Sequence, residues 1–415
     1  MMQNSSLPKT CDVVIVGAGP SGLAAATELK SLGVASVVVI ERESQAGGVP
    51  RHCGHPPYGL REFKRLMTGP VYAAALAERA QGCGVEIHTD TTVVKIHEGG
   101  RLTLSTPDGI TEITARRVVL STGVRETPCA PRFVSAQRPL GISTTGALQA
   151  MVYLNDTIPF KRPVIVGSEL VSFSSLLTCR KADIKPVAMI EAGSRVTAHS
   201  VFRYAPMMFG VPLRLNTSLV EIHGKTRVTG VRLTTPDGTI EDLDCDGVLF
   251  TGQFTPEASL MRMGHLEMDL ASGGPVVDQN GQCSDPCYFA VGNLLHPVET
   301  AGWCWNEGKQ MAGHIIKSLA QETQRGTDLK VVLKSARLKY ITPQTITPFA
   351  QDAGVHHFQL RFRQAAEGEL SLRHNGKTLW SSKRSFRPER RVLIPLPGLP
   401  SSAEPVEVHF SEKLK

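Results

Sequence analysis

A chain of 415 residues exceeds what one core of ordinary size organises, so two or three domains are expected. With 41% hydrophobic and 20% charged residues the composition is globular, and no secretory leader or membrane-spanning run is visible. The nine cysteines stand singly with no C-x-x-C, which argues against a disulfide framework or a zinc knuckle and for a reducing compartment, the cytoplasm.

The first element is a β-branched run, Asp12 to Val16, that ends in Gly17-Ala18-Gly19-Pro20-Ser21-Gly22. A helix follows from Leu23 to Leu32, then a strand from Ser36 to Ile40 ending at Glu41-Arg42. This is the strand, glycine turn, helix, strand and acid order of a dinucleotide site. Gly17 allows the sharp turn, Gly19 lets backbone amides approach a pyrophosphate, and Gly22 lets the helix pack on the strand. Pro20 and Ser21 open the helix whose positive end meets the phosphates, and Glu41 can accept from ribose hydroxyls.

Downstream come Gly47-Gly48 and Arg51, a helix from Val71 to Gln81, and a strand predicted from Val85 to Ile96. Another strand, Arg117 to Leu120, runs into Ser121-Thr122-Gly123. Far along, Tyr288 to Val291 leads to Gly292-Asn293 and then to a helix from Thr300 to Leu319. Over roughly residues 10–322 this series resembles the FAD-dependent pyridine-nucleotide oxidoreductase superfamily, which carries two dinucleotide-binding domains. The resemblance implies an α/β fold: a three-layer ββα FAD-binding domain (1–155 and 284–330) with a second dinucleotide-binding-like domain inserted at 156–283. It also implies FAD contacts at Gly48, Arg51, Arg42, Thr122-Gly123 and the backbone of Val93. Gly292-Asn293 stands where a glycine–aspartate pair is usual. Thr300-Ala301-Gly302 would aim a helix N-terminus at the flavin pyrimidine edge, where charge develops on reduction.

The chain also repeats itself. Leu104 to Gly109 (LSTPDG) recurs as Leu233 to Gly238 (LTTPDG), and in each copy a Thr-Gly pair closes fourteen residues later, at Gly123 and Gly252. The second copy's turn is altered: after Val164-Ile165-Val166-Gly167, Glu169 fills the slot of the second glycine and Ser172 that of the third. A carboxylate there is expected to sit near a pyrophosphate and block the backbone approach, so NAD(P)H is the poorer candidate ligand, although Glu191 could still hold a ribose.

Past Gly48 only Cys53 is available near a flavin, so dithiol chemistry is not expected. Cys283 and Cys287 offer two ligands without a matching histidine pair, and no metal site is expected. In Arg51 to Tyr58, His52 or His55 could act as a base, and Arg51 could hold a phosphate or a substrate carboxylate; packing over the cofactor is the alternative. Trp303 and Trp305 cannot share one helix face. With the Gly48–Gly54 loop, Thr144 to Ala147, Gly167 to Glu169 and Val298 to Trp303, the chain resembles one subgroup. It is that of the flavoprotein subunits of opine oxidase, hydroxyproline dehydrogenase and hydrogen cyanide synthase, and the alpha subunits of sarcosine oxidase. That resemblance implies a small amine, imino-acid or hydroxy substrate, an oligomer, and electrons passed to a second flavoprotein or iron–sulfur subunit. An NAD(P)H-dependent reductase and an FAD-binding subunit without turnover remain the alternatives.

Residues 331–415 change character. They hold fourteen Lys/Arg and seven Asp/Glu, so the whole net charge of +7 lies there, interleaved with strand-like residues rather than in runs. A solvated face or an acidic partner subunit suits this better than nucleic acid. Phe358 to Phe362, Glu369 to Arg373, Val392 to Pro395 and Val406 to Val408 read as half-buried strands, with Asn375-Gly376 as a hairpin turn. A small all-β sandwich is expected.

Overall fold

The computed structural model describes residues 7–235, 237–297, 299–320, 328–347, 357–388, 390–396 and 404–413. Pro236 of the repeated turn and Val298 therefore lie outside the described residues.

The first unit is built on a seven-stranded sheet. Its order is Glu86–His88, Val37–Ile40, Thr10–Val16, Gly109–Leu120, Arg101–Thr106 and Thr92–Ile96, with Tyr288–Ala290 also beside Gly109–Leu120. Side chains alternate across a strand, and here both faces are covered. Val13, Ile15, Val37, Val39 and Val119 face the helices Pro20–Ser31, Gly69–Gly82 and Ala301–Ala320, packing with Leu23, Leu29, Tyr72, Leu76, Met311 and Ile315. Val14, Val16, Val38, Ile40, Val118 and Leu120 face the antiparallel strands instead, with Val93, Leu102, Leu104 and Ile113. Burying one such side chain stabilises the fold by roughly 1.5–3 kcal/mol. The result is the expected ββα layering.

The strand expected from Val85 to Ile96 is two strands at opposite edges of that sheet. The run is broken at Asp90, which has φ +52°, where the carbonyls of Glu43 and Glu41 take the amides of Asp90 and Thr91 at 3.0 Å each. The strand expected from Arg117 begins earlier, at Gly109.

The second unit repeats the plan. A five-stranded parallel sheet has the order Leu213–Arg214, Ala188–Ile190, Pro163–Val166, Gly247–Phe250, Ile142–Thr144. Ile165, Met189 and Leu249 face helix Leu170–Lys181, whereas Val164, Ile190, Val248 and Phe250 face a meander carrying Ile222, Val231 and Leu233. The junctions differ from those expected at 156 and 283. Ile142–Thr144 pairs with Gly247–Phe250, so the second unit takes in residues before 156. Met261, Leu266, Val277 and Cys283 pack in the first unit's core, so those residues belong with it. An antiparallel ribbon of Val124–Glu126 and Phe254–Pro256 joins the units.

The tail forms a five-stranded and a three-stranded sheet around one apolar cluster that includes Phe358, Leu360, Leu370, Ile394 and Val408. The hairpin at Asn375-Gly376 has φ +49° and +72°, the conformation that favours Asn-Gly. One strand departs from expectation. His357–Phe362 is not half-buried: Gln359 and Arg361 are 3% and 2% exposed, because this face lies against the first unit.

Candidate functional site

Ile40, Val16, Leu120 and Ala290 are in register at the carboxyl end of the first sheet. The residues that follow them therefore meet along one edge, where open α/β sheets bind ligands. Gly17, at φ +104°, has no room for a Cβ, which would stand 2.7 Å from the Ser121 carbonyl oxygen. The Gly47 amide donates to the Ala18 carbonyl at 2.8 Å, and Gly48 lies over the turn, a Cβ on it falling 2.8 Å from Gly19 Cα. Gly19 caps the helix that starts at Pro20 and Ser21, and no side chain accepts from that helix's first turn. A Cβ on Gly19 would meet nothing within 4 Å, so the space before those amides is open. Beside this loop the Arg51 Nε is buried with no hydrogen-bond partner. Uncapped amides, glycine clearance and an unpaired guanidinium nitrogen fit the pyrophosphate of FAD.

Glu41 is 7% exposed and accepts from the Ala18 amide at 2.8 Å and the Glu43 amide at 3.0 Å. Each oxygen keeps a further lone pair for a hydroxyl. Arg42 points to solvent, its Nε 3.8 Å from the Glu43 carboxylate. Val93 is buried in the cluster that holds Ile40 and Val16.

At the other end of the cradle, Gly292 has φ +77° and no space for a Cβ, which would lie 2.6 Å from Ser21 Oγ. Its amide donates to Glu307 at 3.1 Å. Asn293 does what aspartate cannot: its Nδ2 donates to the Glu299 carbonyl at 3.1 Å while its Oδ1 accepts from the Glu299 amide at 2.7 Å. Its amide thus braces the loop ahead of the late helix. That helix spans Ala301–Ala320, and the Thr300 carbonyl accepts from Trp303 and Cys304 at 3.0 Å. Gly302 abuts Glu62, and its carbonyl accepts from Arg61 at 3.2 Å. Thr122 donates to the Glu257 carbonyl at 2.7 Å, and the Glu257 amide returns to Gly123 at 2.9 Å, fastening this turn to the second linker strand.

The loop after Gly48 brings His52 and Cys53 inward. Burial, aided by the Arg51 charge, pulls the His52 imidazole down to about 4, so it is neutral near pH 7. The Cys53 thiol is pushed up to about 11 by burial and sits 3.5 Å from Gln149 Oε1, so it is not a thiolate nucleophile. His55 Nδ1 lies 2.8 Å from the Pro56 carbonyl on the exposed side of the loop. All nine cysteines are free thiols. At the start of the late helix, Trp305 packs against the helix layer, whereas Trp303 meets Arg391 and His357 of the tail.

Several residues here carry no motif. Glu126 accepts from the Gly146 amide at 2.7 Å and the Gly252 amide at 3.1 Å, and burial pushes its carboxyl up to about 7 against those two bonds. Glu307 binds His296 at 2.5 Å as well as Gly292. Only the contacts reveal these roles, because each is a lone acid in sequence.

In the second unit Glu191 mirrors Glu41, binding the Ser168 hydroxyl just after Gly167 and the Gly193 amide at 2.8 Å. Contrary to the expectation that its carboxylate sits near a pyrophosphate, Glu169 turns inward. It turns under Gly167 and Gly252 to reach Thr251 and Ser172, at 2.9 and 3.2 Å.

Residues 11–310 match the pyridine nucleotide-disulphide oxidoreductase family. The chain belongs to that family. Its homologues are FAD-dependent oxidoreductases, and NAD(P) binding is common among them. An opine oxidase subunit of Rhizobium meliloti (strain 1021) is 23% identical over 197 residues, covering 47% of this chain and 42% of that protein. The alpha subunit of sarcosine oxidase from Corynebacterium sp. (strain P-1) is 31% identical over 198 residues, 45% of this chain and 20% of that one. The chain thus spans less than half the length of either relative. Thioredoxin reductase of T. acidophilum shares the fold, with a TM-score of 0.64 at 22% identity over 76% of this chain and 100% of that one. No helix among the described residues is long and apolar enough to cross a membrane.

Proposed function

We propose that the chain is the FAD-carrying subunit of a dehydrogenase acting on a small amine, imino acid or hydroxy acid, passing electrons on to a partner protein. One observation carries the reading: the loop beyond Gly48 presents a single buried Cys53 hydrogen-bonded to Gln149, so a dithiol relay of the disulfide-reductase kind has no second sulfur. The names of the opine oxidase and sarcosine oxidase relatives support the substrate class and the subunit role.

The pyrophosphate would be held by Gly17, Gly19, Pro20, Ser21, Gly22, Gly48 and Arg51, the ribose by Glu41, and the flavin end by Gly123, Gly292 and Thr300 to Gly302. When bound, FAD supplies an acceptor for the hydride of a C–H bond next to nitrogen or oxygen. The substrate's N–H or O–H proton must then leave, and neutral His52 is the base we assign to receive it. Arg42 and Asn293 contribute less directly, one from solvent and one by bracing its loop. His55, on the outer side of its loop, is the second candidate base. The partner would be a second flavoprotein or an iron–sulfur protein, in a cytoplasmic oligomer.

A reductase using NAD(P)H is the second reading, favoured by Glu191, which keeps the ribose-side position of the second unit. Anaerobic mixing separates the two. Bleaching of bound flavin by sarcosine, proline or an opine, with slow or no bleaching by NADH and NADPH, supports the dehydrogenase; fast bleaching by a nicotinamide nucleotide alone overturns it.

A further inference from the structure

The strand His357–Phe362 has two buried faces with different chemistry. Phe358, Leu360 and Phe362 fill the tail's own core. His357, Gln359 and Arg361 alternate with them and face the start of the late helix. His357 lies 6.3 Å from Trp303, ring centre to ring centre. Gln359 Nε2 reaches Glu307 Oε1 at 3.5 Å, on the acid that holds the Gly292 amide. Arg361 forms an ion pair with Glu299, and Arg391 pairs with the same carboxylate from the other oxygen. The Arg391 guanidinium also stacks 3.4 Å over the Trp303 ring. Glu299 and Arg361 have side chains 5% and 2% exposed, whereas Arg391 is 28% exposed.

We propose that the C-terminal β domain positions the flavin-facing end of the late helix, through the buried Arg361–Glu299–Arg391 cluster and Gln359. This rests on the FAD reading above. Glu299 is tied by its backbone to Asn293 and stands one residue before Thr300, so whatever holds its carboxylate sets the loop from Gly292 to the helix start. Its burial also makes the cluster electrostatically sensitive. A buried carboxylate is tolerated when guanidinium partners compensate it. Remove one partner and part of that negative charge is uncovered beside the helix amides. Those amides would face the pyrimidine edge, which gains negative charge on reduction, so oxidised flavin is favoured. Arg361, Arg391 and Gln359 are thus positioning residues, supplied by a domain with no dinucleotide motif.

The sign of the effect distinguishes this role from ordinary packing. FAD affinity and midpoint potential would be measured on the full-length holoprotein of wild type, Arg391→Gln, Arg391→Lys and Glu299→Gln. Arg391→Gln should move the potential down. If its hold on reduced flavin weakens about tenfold more than its hold on oxidised flavin, a typical coupling, the shift is about 30 mV. Arg391→Lys should restore most of it. Glu299→Gln removes the acid and leaves two cations, so the potential should move up. Shifts of the same sign in Arg391→Gln and Glu299→Gln, or unchanged potentials with only a lower melting temperature, would overturn the proposal. A wild type that takes up no FAD would overturn the underlying reading instead.

Discussion

The Glu169 carboxylate accepts a hydrogen bond from Thr251 Oγ1 at 2.9 Å, inside the glycine turn of the second unit. Burial raises its pKa, and the same oxygen also accepts from Ser172 at 3.2 Å, so the carboxylate is engaged within the turn. Its Cβ nevertheless occupies the position that stays open at Gly19 in the first unit. If the second unit excludes a nucleotide, this geometry makes bulk rather than charge the obstacle. Glu169→Gly should speed flavin reduction by NADH, and Glu169→Gln should not. Stopped-flow bleaching at matched NADH concentrations checks both, and a gain in Glu169→Gln would assign the obstacle to charge.

His52 provides a pH test. Its folded pKa of about 4 lies below the ordinary histidine value of 6.5, so the unfolded chain binds the extra proton between those values. Its contribution is complete above pH 6.5 and is lost as pH falls toward 4. His52→Gln should flatten that part of the stability profile, read as denaturation midpoint against pH. It should also slow flavin reduction by substrate if His52 takes the proton. An NMR titration near 6.5 of the His52 resonance, identified by its loss in His52→Gln, would contradict the assignment.

Glu126 has the opposite sign. Its carboxyl is raised to about 7, above the ordinary glutamate value of 4.5, so ionising it in the folded protein is unfavourable. The corresponding stability is full below pH 4.5 and falls as pH rises through 7. Glu126→Gln removes the titrating group and should remove that fall, while lowering stability at every pH, because Gln keeps an acceptor for only one of the Gly146 and Gly252 amides. Melting temperature from pH 4.5 to 8 reads it directly.

The parts legible in sequence are those where backbone geometry demands particular residues. Gly17, Gly22 and Gly48 announce the cradle because each approaches another main chain too closely for a side chain. Asn375-Gly376 announces its hairpin because two successive positive φ angles favour that pair. The break at Asp90 was hidden, since Val85 to Ile96 reads as one β-prone run and the carbonyls that meet it there belong to Glu41 and Glu43. The unit junctions were hidden because Ile142–Thr144 is too short to assign until it pairs with Gly247–Phe250. Arg361 and Glu299 were illegible for a different reason: they are 62 residues apart, and alternation in Phe358 to Phe362 implied that Gln359 and Arg361 face solvent.

FAD titration of the flavin-stripped protein is the most direct test of the account. A Cβ on Gly19 meets no protein atom within 4 Å, so Gly19→Glu should fold normally while placing a carboxylate before the helix amides. Wild type should bind FAD saturably, one per chain, and Gly19→Glu should lose that binding with its circular dichroism and melting temperature unchanged. A folded wild type that takes up no FAD, or a Gly19→Glu protein that binds it equally well, would contradict the account.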